Sequence, residues 1–359
     1  MSLLKLGISV VCLCLLLTIS LFISGNTTLA GLAIIAFLLS LAFTFRQYES
    51  LKGFTYTIMV FAAVTAALFY PQYFNEWNGF ALTALITPLI QLIMFGMGTS
   101  MSIDDFVGVV RMPKGVLIGV VSHFIIMPLL GFTLANLSGL EPEIAAGIIL
   151  IGCSPNGMAS NVISYLARAN LALSITITAI STMLAPFITP VLMHALAGAF
   201  VEINALHMMW DISKMVIFPI AAGLLFNKLF SGKISWLDSA MPYISMFGIA
   251  GTIVIITATG RDRLLSIGPI LLGLVLIHNL TGYLLGYWSA RLFRMSERDC
   301  RTIAIEVGMQ NGGLASGIAK EMGKIATLGL APAIFGPLMN VTGSLLASWW
   351  HKKTPNQLS

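Results

Sequence analysis

Charge is what this sequence has least of. Asp, Glu, Lys and Arg make up 9% of its 359 residues, against about a quarter in a soluble globular domain. A chain with so few charged side chains cannot build a surface for water, which excludes a soluble fold. The charges it has are gathered into clusters, and residues 169–201 and 264–290 contain none. As a helix, a charge-free run of that length reaches about 40 Å, enough to cross a ~30 Å hydrocarbon core at a tilt. Cysteine is scarce as well. Cys12, Cys14, Cys153 and Cys300 have neither metal-ligand spacing nor the density of a disulfide framework, and read as small apolar residues of helices. The histidines do not point to a zinc site either: His123, His194 and His278 fall within apolar runs, His207 and His351 near the surface, and they share no helical face or metal-ligand spacing. The net charge of +5 is no nucleic-acid signature, because it follows from where Lys and Arg lie between the apolar runs.

What is present is a succession of apolar runs, read as an all-α membrane protein. Twelve spans are expected, at 5–24, 29–45, 55–71, 81–100, 115–138, 143–167, 171–198, 212–230, 240–259, 264–292, 300–320 and 326–350. The first follows Lys5 and is long for a signal peptide, with no small-x-small cleavage site after it, so it reads as a retained helix. With both termini placed in the cytoplasm, the 19 Lys and Arg divide 14 inside and 5 outside, as positively charged inner loops require. The charged stretches 101–114 and 291–301 read as solvated cytoplasmic turns.

Comparison of the chain with itself is more telling. Gly152, Gly157, Ala159 and Ser160 recur 156 residues later as Gly308, Gly313, Ala315 and Ser316. Each set sits mid-span in the fourth helix of a five-helix series. Five is odd, so the second series enters the membrane from the opposite face, an inverted repeat. The expected organisation is two N-terminal transmembrane helices (1–50), a first repeat (51–198), a linker (199–211), a second repeat (212–351) and a cytoplasmic tail (352–359).

Gly, Pro and Asn at mid-membrane depth should unwind both fourth helices. Backbone groups freed there must face protein, water or a ligand. The helix N-terminus after each break offers partial positive charge to an anion. The alternative is a pair of kinks that only shape packing. Glu306 lies two residues before Gly308, inside the apolar segment Ile303–Val307. An intramembrane carboxylate is costly and functional by default, and a bound cation would compensate it; the alternative is a protonated Glu bonded to a neighbouring helix. Ser174 and Thr178, four apart, share a helical face. With Ser160, Asn161 and Glu306 they form a set of hydroxyl, amide and carboxylate oxygens suited to Na⁺, by the logic of hard cations.

These residues resemble the bile acid:sodium symporter family, including bacterial homologues of the apical sodium-dependent bile acid transporter. The motifs are GCSPNGMASNVISYLARANLALSITIT (Gly152–Thr178), IEVGMQNGGLA (Ile305–Ala315), MFGMG (Met94–Gly98), HNLTGYLLG (His278–Gly286) and GSLLA (Gly343–Ala347). The resemblance covers residues 81–351 and implies a ten-helix inverted repeat (5+5) of panel and core domains, with two broken helices crossing in the core. The helices before residue 50 stand outside it. It implies a first sodium site of Ser160, Asn161, Ser174, Thr178 and Glu306. It implies a second of Glu306, Gln310 and the carbonyls of Val307 and Met309, with His123 where relatives carry a Gln. Gly157, Met158, Asn311 and Asn340 are the implied substrate contacts, with Met339 where the family has His. Asn156 and Met158 stand where relatives often carry Gly and Thr.

The function so implied is sodium-coupled import of an organic anion, bile-acid-like or a small carboxylate, by a monomer in a bacterial inner membrane. The coupling partner is Na⁺, the surroundings are lipid, and no nucleic acid is involved. A titratable His123 in the second site raises proton coupling or export as the alternative. An intramembrane enzyme built on Ser160, His123 and Glu306 lacks any nucleophile motif, and no soluble output domain marks a signalling receptor.

Overall fold

The computed structural model describes residues 3–48, 52–230 and 235–353; the tail expected from 352 lies outside them after Lys353. Helices α1 (Leu3–Ile23), α2 (Thr27–Phe45) and α3 (Thr55–Phe69) come first, followed by one turn, α4 (Gln72–Asn75). A two-residue ladder of β1 (Glu76–Trp77) and β2 (Phe80–Ala81) follows. Its turn is Asn78-Gly79, both with positive φ (48° and 84°), which suits the mirror-image turn of a tight hairpin. Then come α5 (Ile86–Ser100), α6 (Ile103–Arg111), α7 (Pro113–Leu137), α8 (Pro142–Cys153), α9 (Ala159–Leu166) and α10 (Leu171–Ala197). The remainder is α11 (Ala205–Met215), α12 (Ile217–Phe230), α13 (Ser235–Thr259), α14 (Arg261–Leu292), α15 (Glu297–Gly308), α16 (Gly312–Glu321) and α17 (Leu330–His351).

Among the described residues, seven stretches are long and apolar enough to cross a membrane: 27–45, 82–100, 113–137, 171–197, 205–230, 261–292 and 330–351. Each coincides with an expected span. Three further spans are shorter apolar helices, and two are interrupted. Boundaries follow local chemistry. The side chains of Asn26, Asn170, Asn204 and Ser296 each accept a backbone N–H of the helix they precede, and Pro113 and Pro142 open α7 and α8 where no N–H is needed.

Three expectations are corrected. The helix expected from 212 begins at Ala205, because Asn204 caps it, so the 199–211 segment is half helical. The 101–114 turn contains α6, which packs on α10. The 291–301 turn is not simply solvated: Glu297 and Arg301 are buried and α15 starts within it.

Packing falls into two groups. In the first, α7 lies against α8, α10 and α14, while α14 lies against α15 and α17, and α17 closes on α8, α9 and α16. Every residue of α8 from Ile144 to Cys153 is buried, which is why a helix apolar on all sides sits at the centre. In the second group α5 packs on α12 and α13, α13 on α3, α3 on α2 and α2 on α1. The groups meet where α16 touches α5 and α13 and where α17 touches α3 and α13, and α11 bridges α10, α12 and α16.

Candidate functional site

Two interrupted helices cross at the centre of the first group. Pro155 has no N–H and pushes Ser154 to extended backbone (ψ 155°), which ends α8. Met309 is likewise extended after α15. The two unwound segments pair with each other: Gly157 N donates to Met309 O (3.1 Å) and Asn311 N donates to Pro155 O (2.7 Å), with Asn156 opposite Gln310. Each break thus satisfies backbone groups freed by the other, which lipid could not do. The approach needs glycine. A Cβ on Gly157 would lie 2.7 Å from Gln310 O, and one on Gly308 would lie 2.2 Å from the Tyr283 ring.

Flanking helices pin the crossing. His123 of α7 reaches Ser154 O (2.9 Å), Asn279 of α14 donates to Gly308 O (2.8 Å), and Thr189 of α10 donates to Cys153 O (2.7 Å). His123 and Asn279 are themselves 156 residues apart, the same offset as Gly152 and Gly308.

Beside the crossing, α9, α10 and α15 bring together all five residues of the first expected cation set. Ser174 Oγ lies 2.5 Å from Glu306 Oε1 and 2.9 Å from Asn161 Oδ1; its single proton serves one at a time. Thr178 Oγ1 donates to Glu306 Oε2 (2.9 Å) and stands 3.3 Å from Ser160 Oγ. Glu306, Ser160 and Ser174 are fully buried, Thr178 nearly so, and Asn161 half-buried. Among the described residues no Lys, Arg or His pairs with Glu306. Arg301, one turn and a half earlier on α15, is turned to Glu297 Oε1 (3.0 Å) instead. The result is a buried carboxylate faced only by oxygens and hydroxyl protons.

The second expected set does not assemble as expected. Gln310, Val307 and Met309 are at the crossing, but Val307 O already accepts from Gln310 Nε2 (3.0 Å) and Met309 O from Gly157 N. Both nitrogens of His123 are engaged. Asn156 Nδ2 bonds both Glu306 O and His123 Nδ1, the latter at 3.1 Å. The donor from Asn156 makes Nδ1 the acceptor and leaves Nε2–H to donate to Ser154 O, so the ring has no lone pair to give. What the crossing does offer is two buried side-chain oxygens with no protein partner, Asn156 Oδ1 and Gln310 Oε1. Directly opposed residues of an antiparallel pair share a face, so both belong to the same side.

The expected substrate contacts lie at the starts of α9 and α16 and on α17. Asn311 Oδ1 caps α16 by accepting from Leu314 N (3.0 Å). Asn340 Nδ2 is tied to Gly336 O (3.0 Å), which leaves its oxygen free of that bond. Met158 is half-buried at the head of α9, and Gly157 is spent on the crossing.

Residues 87–267 match the model of the sodium bile acid symporter family. The chain is 38% identical over 309 residues to the uncharacterized sodium-dependent transporter YocS of Bacillus subtilis, spanning 86% of this chain and 94% of that one. This chain belongs to the sodium bile acid symporter family. It is 34% identical over 274 residues to the probable sodium/metabolite cotransporter BASS1, chloroplastic, of Arabidopsis thaliana (75% of this chain, 67% of the relative). To the rice protein of that name it is 33% identical over 317 residues, covering 86% and 75%. As a member of the sodium bile acid symporter family it is an integral membrane transporter and not an enzyme.

Asn156 and Asn279 are the residues of this symporter-family site that sequence reasoning missed as participants. A signal existed for Asn279, which stands at the repeat-related position of His123. For Asn156 the signal was a polar side chain inside the break.

Proposed function

We propose that this protein is a secondary-active symporter that couples Na⁺ movement to import of an organic anion. One observation carries the reading: Glu306 is fully buried, its carboxylate accepts from the hydroxyls of Ser174 and Thr178, and Asn161 Oδ1 and Ser160 Oγ lie against those same hydroxyls. A lone intramembrane carboxylate costs about 3 kcal/mol or more. Six convergent oxygens, one pair of them charged, are the donor set a hard monovalent cation takes in place of water. The relatives' names, sodium-dependent transporter and sodium/metabolite cotransporter, support Na⁺ as that cation.

In this reading Na⁺ neutralises Glu306 and locks α9, α10 and α15 together, which orders the crossing. The N-termini of α9 and α16 then present partial positive charge to a carboxylate or sulfonate. Because Asn311 spends its oxygen on the helix cap, it turns amide protons towards an anion, while Asn340 offers an acceptor. A second Na⁺ would use Asn156 Oδ1 and Gln310 Oε1 with the second lone pairs of the Val307 and Met309 carbonyls. Asn156 replaces His123 in that role.

The same reading takes the fold as a ten-helix inverted repeat: 51–198 and a second half starting at Ala205, with α1 and α2 as an addition. The 156-residue recurrence of Gly152/Gly308 and of His123/Asn279 supports it. The first packing group would be the core and the second the panel, and transport would proceed by alternating access of one against the other. The distribution of Lys and Arg supports placing both ends in the cytoplasm; the reading takes the membrane as a bacterial inner membrane and the protein as a monomer. Proton coupling through His123 is disfavoured, since protonating Nδ1 would break its bond with Asn156. Uptake of a panel of radiolabelled organic anions into proteoliposomes, with Na⁺ and pH gradients imposed separately, tests the reading. Accumulation should follow the Na⁺ gradient; accumulation driven by a pH gradient in Na⁺-free buffer would overturn it.

A further inference from the structure

At one end of α14 the lipid-facing surface is grooved. The groove, about 860 Å³, is lined by Ile126 of α7, by Leu285, Trp288, Ser289, Arg291 and Leu292 of α14, and by Arg294 and Met295 of the loop to α15. Its walls are apolar and its mouth is basic. Trp288 is 60% exposed and Leu292 79%, as expected of side chains that meet acyl chains, and a Trp at this level is typical of the membrane–water boundary. Ile126 lies 11 residues into α7 from Gly115, where the Met295 methyl packs. That places the groove floor about 16 Å below the mouth, within one leaflet.

The two arginines are unequal. Arg291 is 3.9 Å from Glu297 Oε2 and lies over the Tyr287 ring. Glu297 is already claimed by Arg301 and by the Tyr287 hydroxyl (2.7 Å), so it compensates Arg291 only in part. Arg294 is exposed and forms no salt bridge among the described residues. It also occupies a left-handed conformation (φ 55°), closed by Arg294 N to Arg291 O and Met295 N to Ala290 O. That helix-end position ordinarily takes glycine. An exposed arginine with no salt bridge, beside a second under-compensated arginine and above an apolar channel, matches the shape of a lipid with an anionic head.

We propose that this groove binds an anionic phospholipid, with its phosphate on Arg294 and Arg291 and an acyl chain along Trp288, Leu285, Leu292 and Ile126. The site is independent of the ion and substrate positions at the crossing. The test uses the purified full chain and short-chain and palmitoyl-oleoyl phosphatidylglycerol, with phosphatidylcholine as the neutral control, read by native mass spectrometry of retained lipid. Arg294→Gly is the informative variant, since glycine suits the backbone and should not impair folding. It should weaken phosphatidylglycerol retention about fivefold, and adding Arg291→Gln should weaken it by about that factor again. Phosphatidylcholine retention should stay unchanged, and glycerol phosphate should not compete. Equal retention of both lipids, unchanged retention in Arg294→Gly, or full displacement by glycerol phosphate would each overturn the proposal.

Discussion

Arg301→Met is the perturbation with the most decidable consequence. Arg301 is fully buried, yet its guanidinium is spoken for on every side. It donates to Glu297 Oε1 (3.0 Å), to Ala167 O at the end of α9, and to Trp350 O and Lys353 O at the end of α17, each at 3.2 Å. It thereby ties the start of α15, which carries Glu306, to the ends of two other helices of the crossing. Methionine fills a similar volume but leaves the buried Glu297 charge with only the Tyr287 hydroxyl and the more distant Arg291, 3.9 Å away, to compensate it. Removing one partner of such a pair costs about 3–5 kcal/mol. Glu297→Gln added to Arg301→Met removes the orphaned charge, so the double variant should recover about 1–2 kcal/mol of that loss. Chemical unfolding of the detergent-solubilised full chain, as a double-mutant cycle, measures both. If Arg301→Met unfolded within about 0.5 kcal/mol of the parent, or the double variant were less stable than the single, the buried-pair reasoning would be refuted.

Thr178→Val keeps the side-chain shape but deletes the hydroxyl that meets Glu306 and Ser160. Na⁺ affinity by calorimetry should fall about tenfold, the loss of one hydrogen bond to a charged group; unchanged affinity would remove Thr178 from the cation set. Gly157→Ala places a methyl 2.7 Å from Gln310 O. The paired segments must separate, which should cost about 1–3 kcal/mol in unfolding experiments and abolish uptake. Gly268→Ala in α14 is the control. Nothing lies within 4 Å of its added carbon, so it should be neutral or stabilise by up to about 1 kcal/mol.

Much of this was legible in the sequence. The spans were readable from their long apolar runs, several of which begin at a capping Asn or Ser or at a helix-opening Pro. The breaks were readable because Pro155, Gly157, Gly308 and Gly312 cannot all sit in continuous helix. Ser174 and Thr178 share a face by spacing alone, so the first oxygen set could be assembled from one helix and its neighbours. The role of His123 could not. Whether its ring is a ligand or a strut depends on Asn156, 33 residues away, and on which atoms two broken helices bring together. The burial of Arg301 was hidden for a related reason. A charge beside a loop reads as solvated unless the ends of α9 and α17 are known to converge over it. The hairpin at Asn78-Gly79 carried a local signal, but it is only two residues wide on each side.

Equilibrium Na⁺ binding to the purified chain and to Glu306→Gln tests the central claim most directly. Glutamine keeps the shape and an acceptor oxygen but removes the charge that the oxygen set is built around. Saturable Na⁺ binding should be present in the parent and lost in Glu306→Gln, with the variant still folded by circular dichroism. Binding of undiminished affinity in the folded variant would contradict the account.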